Sequence, residues 1–223
     1  MIPRVLIDSA LVPGGGELRL IRRGDDFWIM LGANALMSTR LRGSEEALAT
    51  LACERIADRP GPALLIGGLG MGFTLRAALD VLPREARVVV AELVPAIVAW
   101  ARGPMSHVHG ASLDDPRVDV VESDVGDLIA SASAGYDAIL LDVDNGPDAL
   151  SRETNDRLYD LEGLGRARSA LKPRGILGVW SAAPDPAFAR RLARSGFAVE
   201  EIAVRAHAGR KGTKHVIWLA TRR

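Results

Sequence analysis

A chain of 223 residues, 48% hydrophobic and 25% charged, is long enough to bury the core of one full domain and too apolar to be disordered. Lys plus Arg and Asp plus Glu each number 28, so no overall charge points to nucleic acid or to a membrane surface. The single Cys53 excludes a disulfide framework and a multi-cysteine zinc site, and fits inert helix packing in a reducing compartment.

No stretch reaches the roughly 20 apolar residues of a membrane span, and MIPRVLIDSA at the N-terminus shows no signal peptide. A cytoplasmic protein with no membrane partner is expected. Charge is uneven along the chain. Residues 163–223 carry 13 basic and 3 acidic side chains, whereas 137–162 hold eight carboxylates against Arg152 and Arg157. The basic arginines are spread over helix and loop, so no nucleic-acid partner is expected. The acidic run is either a solvated face or a rim that attracts a cation.

Residues 1–42 read as short strands, with a hairpin around Arg23-Gly24-Asp25-Asp26. Ser44 looks like the N-cap of a helix that runs to Pro60, with Glu45 and Glu46 favourable in its first turn. Residues 1–60 form a small β-rich N-terminal appendage on this reading. From residue 61 to 223 strands and helices alternate, which requires a parallel sheet with crossovers. Strands are predicted at 63–66, 87–92, 117–122, 136–142 and 175–181, and helices at 72–82, 94–102, 125–133, 155–171 and 186–195. The two last strand-like runs, 197–206 and 214–221, have no helix between them. They predict a hairpin that gives the sheet an antiparallel last strand. The fold class is therefore α/β and Rossmann-like, in the pattern of class I methyltransferases, which bind S-adenosylmethionine.

Gly67-Gly68-Leu69-Gly70-Met71-Gly72 follows the first strand of this sheet and opens a helix. Glycines there let the backbone approach a ligand, and the helix N-terminus adds positive potential. Phe73 occupies the third glycine position of the dinucleotide fingerprint, so the loop suits an adenosyl sulfonium without pyrophosphate better than a dinucleotide. Gly67, Gly68, Gly70 and Gly72 are the candidate cradle. Glu92, 20 residues beyond Gly72 at the end of the second strand, is placed to accept hydrogen bonds from both ribose hydroxyls. Asp124, ending the third strand, can accept from an adenine amino group or cap the next helix. The fourth strand delivers Asp142 to the carboxyl edge of the sheet, with Asp144 two residues on. Two carboxylates beside a bound sulfonium can hold an amine and take its proton; an Asx turn is the bland alternative. Tyr159 is a candidate orienting hydroxyl.

These residues make the sequence resemble the spermidine synthase (polyamine aminopropyltransferase) family. The resemblance runs through the glycine loop with Leu75-Arg76, Val89-Val90-Ala91-Glu92, Asp115-Pro116-Arg117-Val118, Tyr136-Asp137, Asp142 to Gly146-Pro147, and Leu158-Tyr159. It implies that Asp142 is a general base, that Glu92 holds the ribose and that Asp124 contacts adenine. It further implies a decarboxylated S-adenosylmethionine donor, no metal and a small-molecule amine acceptor; a homodimer is left open. The departures are specific. The family's G-G-G-D-G-G loop anchors an amine through its aspartate, where this chain has Leu69-Gly70-Met71. The family's D-S-S-D-P-x-G-P run is shorter here, and the 44–51 helix lacks the Tyr and His that contact polyamine. These differences keep open methyl transfer from intact S-adenosylmethionine to an unidentified small molecule. A non-catalytic nucleoside-binding or scaffold protein is the second alternative.

Other sequence features carry less. His107 and His109 lie in the 103–114 loop without cysteine, so no metal site is expected there. His207, Arg210, Lys211, Lys214 and His215 populate the terminal hairpin loop as a solvated turn or an anion contact. Trp180-Ser181 ends the fifth strand as either acceptor wall or core. No N-P-P-[YFW] or G-x-S-x-G motif is present, against nucleobase amine methylation and hydrolase chemistry.

Overall fold

The computed structural model describes residues 2–13, 15–143, 157–206 and 213–223. An antiparallel sheet opens the chain in the order β1-β2-β3-β4, from Val5–Leu11, Glu17–Arg23, Asp26–Leu31 and Asn34–Ser38. The expected hairpin is β2–β3, with Arg23 paired to Asp26. Helix α1 (Gly43–Cys53) then leads to the second sheet.

That sheet has seven strands in the order β10-β11-β9-β8-β5-β6-β7. The strands are β5 (Ala63–Gly67), β6 (Arg87–Glu92), β7 (Val118–Glu122), β8 (Tyr136–Leu141), β9 (Leu171–Ser181), β10 (Phe197–Arg205) and β11 (Lys214–Arg222). Neighbours run parallel except at β11, which lies antiparallel to both β9 and β10. The reversed strand arises as expected, from the antiparallel pairing of β10 with β11. The crossovers are α2 (Phe73–Val81), α3 (Pro95–Arg102), the short α4 (Ser106–His109), α5 (Val125–Ser131), α6 (Leu161–Ala170) and α7 (Pro186–Arg194).

Alternation along the central strands explains the two layers of core. Leu64, Ile66, Ala138 and Leu140 face one cluster, while Leu65, Ile139 and Leu141 face the other. Both sets are apolar because helices cover both faces. The first cluster also takes Leu18, Leu20, Phe27 and Ile29 from the N-terminal sheet, so that sheet packs its inner face into the shared core. Trp100 Nε1 donates to Asp8 across 2.7 Å and ties α3 to β1.

Several boundaries differ from the sequence expectation. Ser44 is not an N-cap: Arg42 holds that position without a side-chain capping bond, and Ser44 is the second residue of the helix, fully buried. Gly43 N–H instead donates to the carbonyl of Ala206, which pulls the helix start against the end of β10. Helix α1 stops at Cys53, well short of Pro60, in a run of turns. Helix α6 begins at Leu161 because Asp160 caps it, accepting from Gly163 N–H at 2.7 Å. Cys53 is buried and free, and burial pushes its thiol up to about 12. No helix among the described residues is long and apolar enough to cross a membrane.

Candidate active site

The carboxyl ends of β5, β6, β7 and β8 meet beneath the N-terminal sheet around a cavity of about 140 Å³. Its floor is Gly68 and Gly70 with Glu92, Asp124 and Asp142; its roof is Leu18, Ile29, Leu31, Leu36 and Met37. An apolar roof over a few convergent polar groups is the usual build of a small-molecule site.

The loop after β5 is shaped by close approaches. Gly68 has φ +91°, and a Cβ there would lie 2.5 Å from the carbonyl oxygen of Asp142, so the loop can pass β8 only as glycine. Asp142 N–H donates to Gly67 O at 3.1 Å and Gly68 N–H to Ala91 O at 2.9 Å, which locks the loop between the two neighbouring strands.

Glu92 is buried at the end of β6. Its Oε2 accepts from Leu69 N–H and its Oε1 from Val94 N–H, both at 2.9 Å. Burial raises its pKa against the opposing pull of these amides. The amides of Gly70 and Leu93 pull the same way as those of Leu69 and Val94, and Glu92 lines the cavity. Asp124 caps α5, its Oδ1 accepting from Gly126 N–H at 2.7 Å, and it also lines the cavity. Cap and ligand contact are compatible, since a carboxylate accepts at two oxygens.

Asp142 lies just beyond β8. The residue as a whole is half-buried, but its carboxyl is enclosed, and burial pushes its pKa up to about 7, helped by the negative charge of Glu45 and opposed by Thr74. Thr74, in the first turn of α2, donates to Asp142 Oδ2 at 2.5 Å. Glu45 is raised as well, chiefly by burial, with Ser44 donating to it at 2.6 Å and pulling the other way.

The structure brings Gly68, Gly70, Glu92, Asp124 and Asp142 to one cavity, with Gly67 and Gly72 in the same loop. Tyr159 is elsewhere. Its ring packs edge-on against Phe188 at 5.5 Å within the core beneath α6 and α7, and it does not line the cavity. Asp144 lies outside the described residues, as do His207, Arg210 and Lys211. Trp180 is core: it meets the His215 ring edge-on at 4.8 Å and stays off the cavity wall. His109 is buried with its ring over Gly72. Among the described residues no group of three or more His, Cys, Asp or Glu could hold a metal.

Sequence reading missed Thr74 and Glu45. The signal for Glu45 was its spacing: Glu45, Ala49 and Ala52 fall at i, i+4 and i+7, so this carboxylate shares the buried face of α1, while Glu46 faces solvent and pairs with Arg42. Thr74 gave none beyond its place one turn into the helix after the glycine loop.

No protein-family model matches the chain. It is 33% identical over 173 residues to the polyamine aminopropyltransferase of Mycobacterium tuberculosis, a match covering 75% of this chain and 31% of that protein. It is also 33% identical over 155 residues to polyamine aminopropyltransferase 1 of Streptomyces coelicolor, covering 65% and 28%. The matches thus span under a third of the length of these curated relatives. Among solved structures, a spermidine synthase in complex with the transition-state analogue AdoDATO superposes with TM-score 0.76 at 16% identity, covering 98% of this chain and 72% of that one. The spermidine synthase of Thermotoga maritima gives 0.74 at 18%, with the same coverage. The chain has the methyltransferase-like fold of the spermidine synthases, and its sequence is similar to that of polyamine aminopropyltransferases.

Proposed function

We propose that this protein transfers an aminopropyl group from decarboxylated S-adenosylmethionine to an aliphatic amine. The observation that carries it is the enclosed Asp142 carboxyl on the same cavity as Glu92 and Asp124, in a chain similar to polyamine aminopropyltransferases. Glu92 takes the ribose hydroxyls and Asp124 the adenine amino group. The glycine loop runs under the sulfonium. Asp144 is assigned from sequence alone as support for Asp142. A cytoplasmic location belongs to the same proposal.

The amine nitrogen attacks the carbon next to sulfur; the new C–N bond forms as the C–S pair returns to sulfur and methylthioadenosine leaves. Positive charge moves from sulfur to the attacking nitrogen, so a carboxylate beside that nitrogen stabilises the transition state and then takes its proton. A carboxyl with pKa near 7 is matched to that task, and Thr74 fixes its orientation. The base works only when ionised. The acid limb of kcat/KM therefore falls as pH drops through about 7, as a property of the Glu45–Asp142 pair. Asp142→Asn is expected to cut turnover with putrescine by roughly 10²- to 10⁴-fold while methylthioadenosine affinity is unchanged. Near-normal turnover in that variant would remove Asp142 from the mechanism.

Methyl transfer from intact S-adenosylmethionine is the second reading, favoured by one observation: the loop offers no acid at Gly70, where Met37 covers the backbone. It differs in its product, S-adenosylhomocysteine.

A further inference from the structure

Glu45 has no part in the mechanism above beyond its field on Asp142. With Asp142, Gly70, Met71 and Gly72 it lines a void of about 10 Å³ that meets the main cavity at Met37, Gly70 and Asp142. That space takes one water-sized group. Ser44 Oγ, fully buried, donates to Glu45 Oε2 at 2.6 Å and lies 2.8 Å from His215 Nδ1. A hydroxyl has one proton to give, so with Glu45 ionised it is Nδ1–H of His215 that donates to Ser44. The chain from His215 through Ser44 holds the Glu45 carboxylate at the void.

Nothing on the described protein neutralises it. Among the described residues no Lys or Arg pairs with Glu45 or Asp142; Glu45 accepts from Ser44 and from its own backbone N–H, and Asp142 from Thr74. Two enclosed carboxylates facing one small void are stabilised by a cation between them. A metal ion would find too few ligands among the described residues. A primary ammonium has the size of a water and three N–H donors to share between them. The void lies against residues 69–73, the loop proposed to run under the sulfonium, so the ammonium belongs to the donor's own chain. The loop cannot supply the anion itself: Gly70 has φ +48°, and a Cβ there would lie 2.7 Å from Met37 Sδ and Cε.

Resting on the donor assignment under Proposed function, we propose that Glu45 is the specificity-determining residue that holds the terminal ammonium of the donor's aliphatic chain and rejects a chain ending in a carboxylate. Calorimetric titration of wild type, Glu45→Gln and Glu45→Asp with decarboxylated S-adenosylmethionine, intact S-adenosylmethionine and methylthioadenosine tests it. Wild type is expected to prefer the decarboxylated donor. Glu45→Gln should weaken that donor by roughly tenfold or more and erase the preference, with methylthioadenosine unchanged, and Glu45→Asp should restore part of it. A Glu45→Gln protein that keeps the wild-type ratio overturns the proposal, as does one that also loses methylthioadenosine. A wild type that binds methylthioadenosine without preferring either donor overturns the role of Glu45 alone; binding of none of the three overturns the donor assignment and the proposal with it.

Discussion

Asp142 carries a cost as well as a role. Its folded pKa of about 7 lies above the ordinary carboxylate value of 3.8, so folding favours its neutral form. The carboxyl is therefore no burden below pH 4; its cost builds as pH rises from there to about 7 and is complete above it. Asp142→Asn keeps the hydrogen bond with Thr74 within reach and removes the buried charge. Thermal unfolding of the variant at pH 8 should come several degrees above wild type, at about 2–4 °C per kcal/mol for a chain of this size, and the gap should narrow toward pH 5. A variant less stable than wild type at pH 8 would show that Asp142 is paired in a way the described residues do not provide.

At the scale of elements, the short α4 and the turn after it place His109 against the glycine loop. Arg76 reaches back to the carbonyl of Val108 at 2.9 Å and reinforces that contact. Burial, and then the charge of Arg76, push the His109 imidazole down to about 4, and neither ring nitrogen finds a partner among the described residues. The depressed folded value means that stability from neutral His109 is complete above pH 6.5 and is lost as pH falls toward 4. His109→Leu should flatten that part of the melting-temperature profile; an unchanged acid slope would place the loss in other groups. The sequence could not announce this packing, because α4 is one turn long and its burial is set by contacts with a loop some 37 positions earlier. The sheet strands were legible for the opposite reason: β5, β6 and β8 are apolar on both faces, and the Gly67–Gly72 run marks where the first of them must end. Glu92, Asp124 and Asp142 were expected on one rim because each lies at or just beyond the end of a strand, and all three line the cavity. Glu45 was read as a helix-dipole charge, since the wall it faces is made by α2 and β8, far along the chain.

The whole molecule is a parallel sheet whose carboxyl edge is roofed by a second sheet, with both contributing to one core. An apolar roof lowers the dielectric around the three strand-end carboxylates, which would strengthen their hold on the proposed cationic donor. That arrangement suits a displacement in which positive charge passes from sulfur to nitrogen in a site shielded from water. The nucleoside released is the most direct witness to it. Incubation of the purified protein with decarboxylated S-adenosylmethionine and putrescine, followed by chromatographic identification of the adenosyl product, should yield methylthioadenosine in step with an aminopropylated amine. Failure to form methylthioadenosine, together with S-adenosylhomocysteine from intact S-adenosylmethionine, would contradict aminopropyl transfer and assign the cavity to methyl transfer instead.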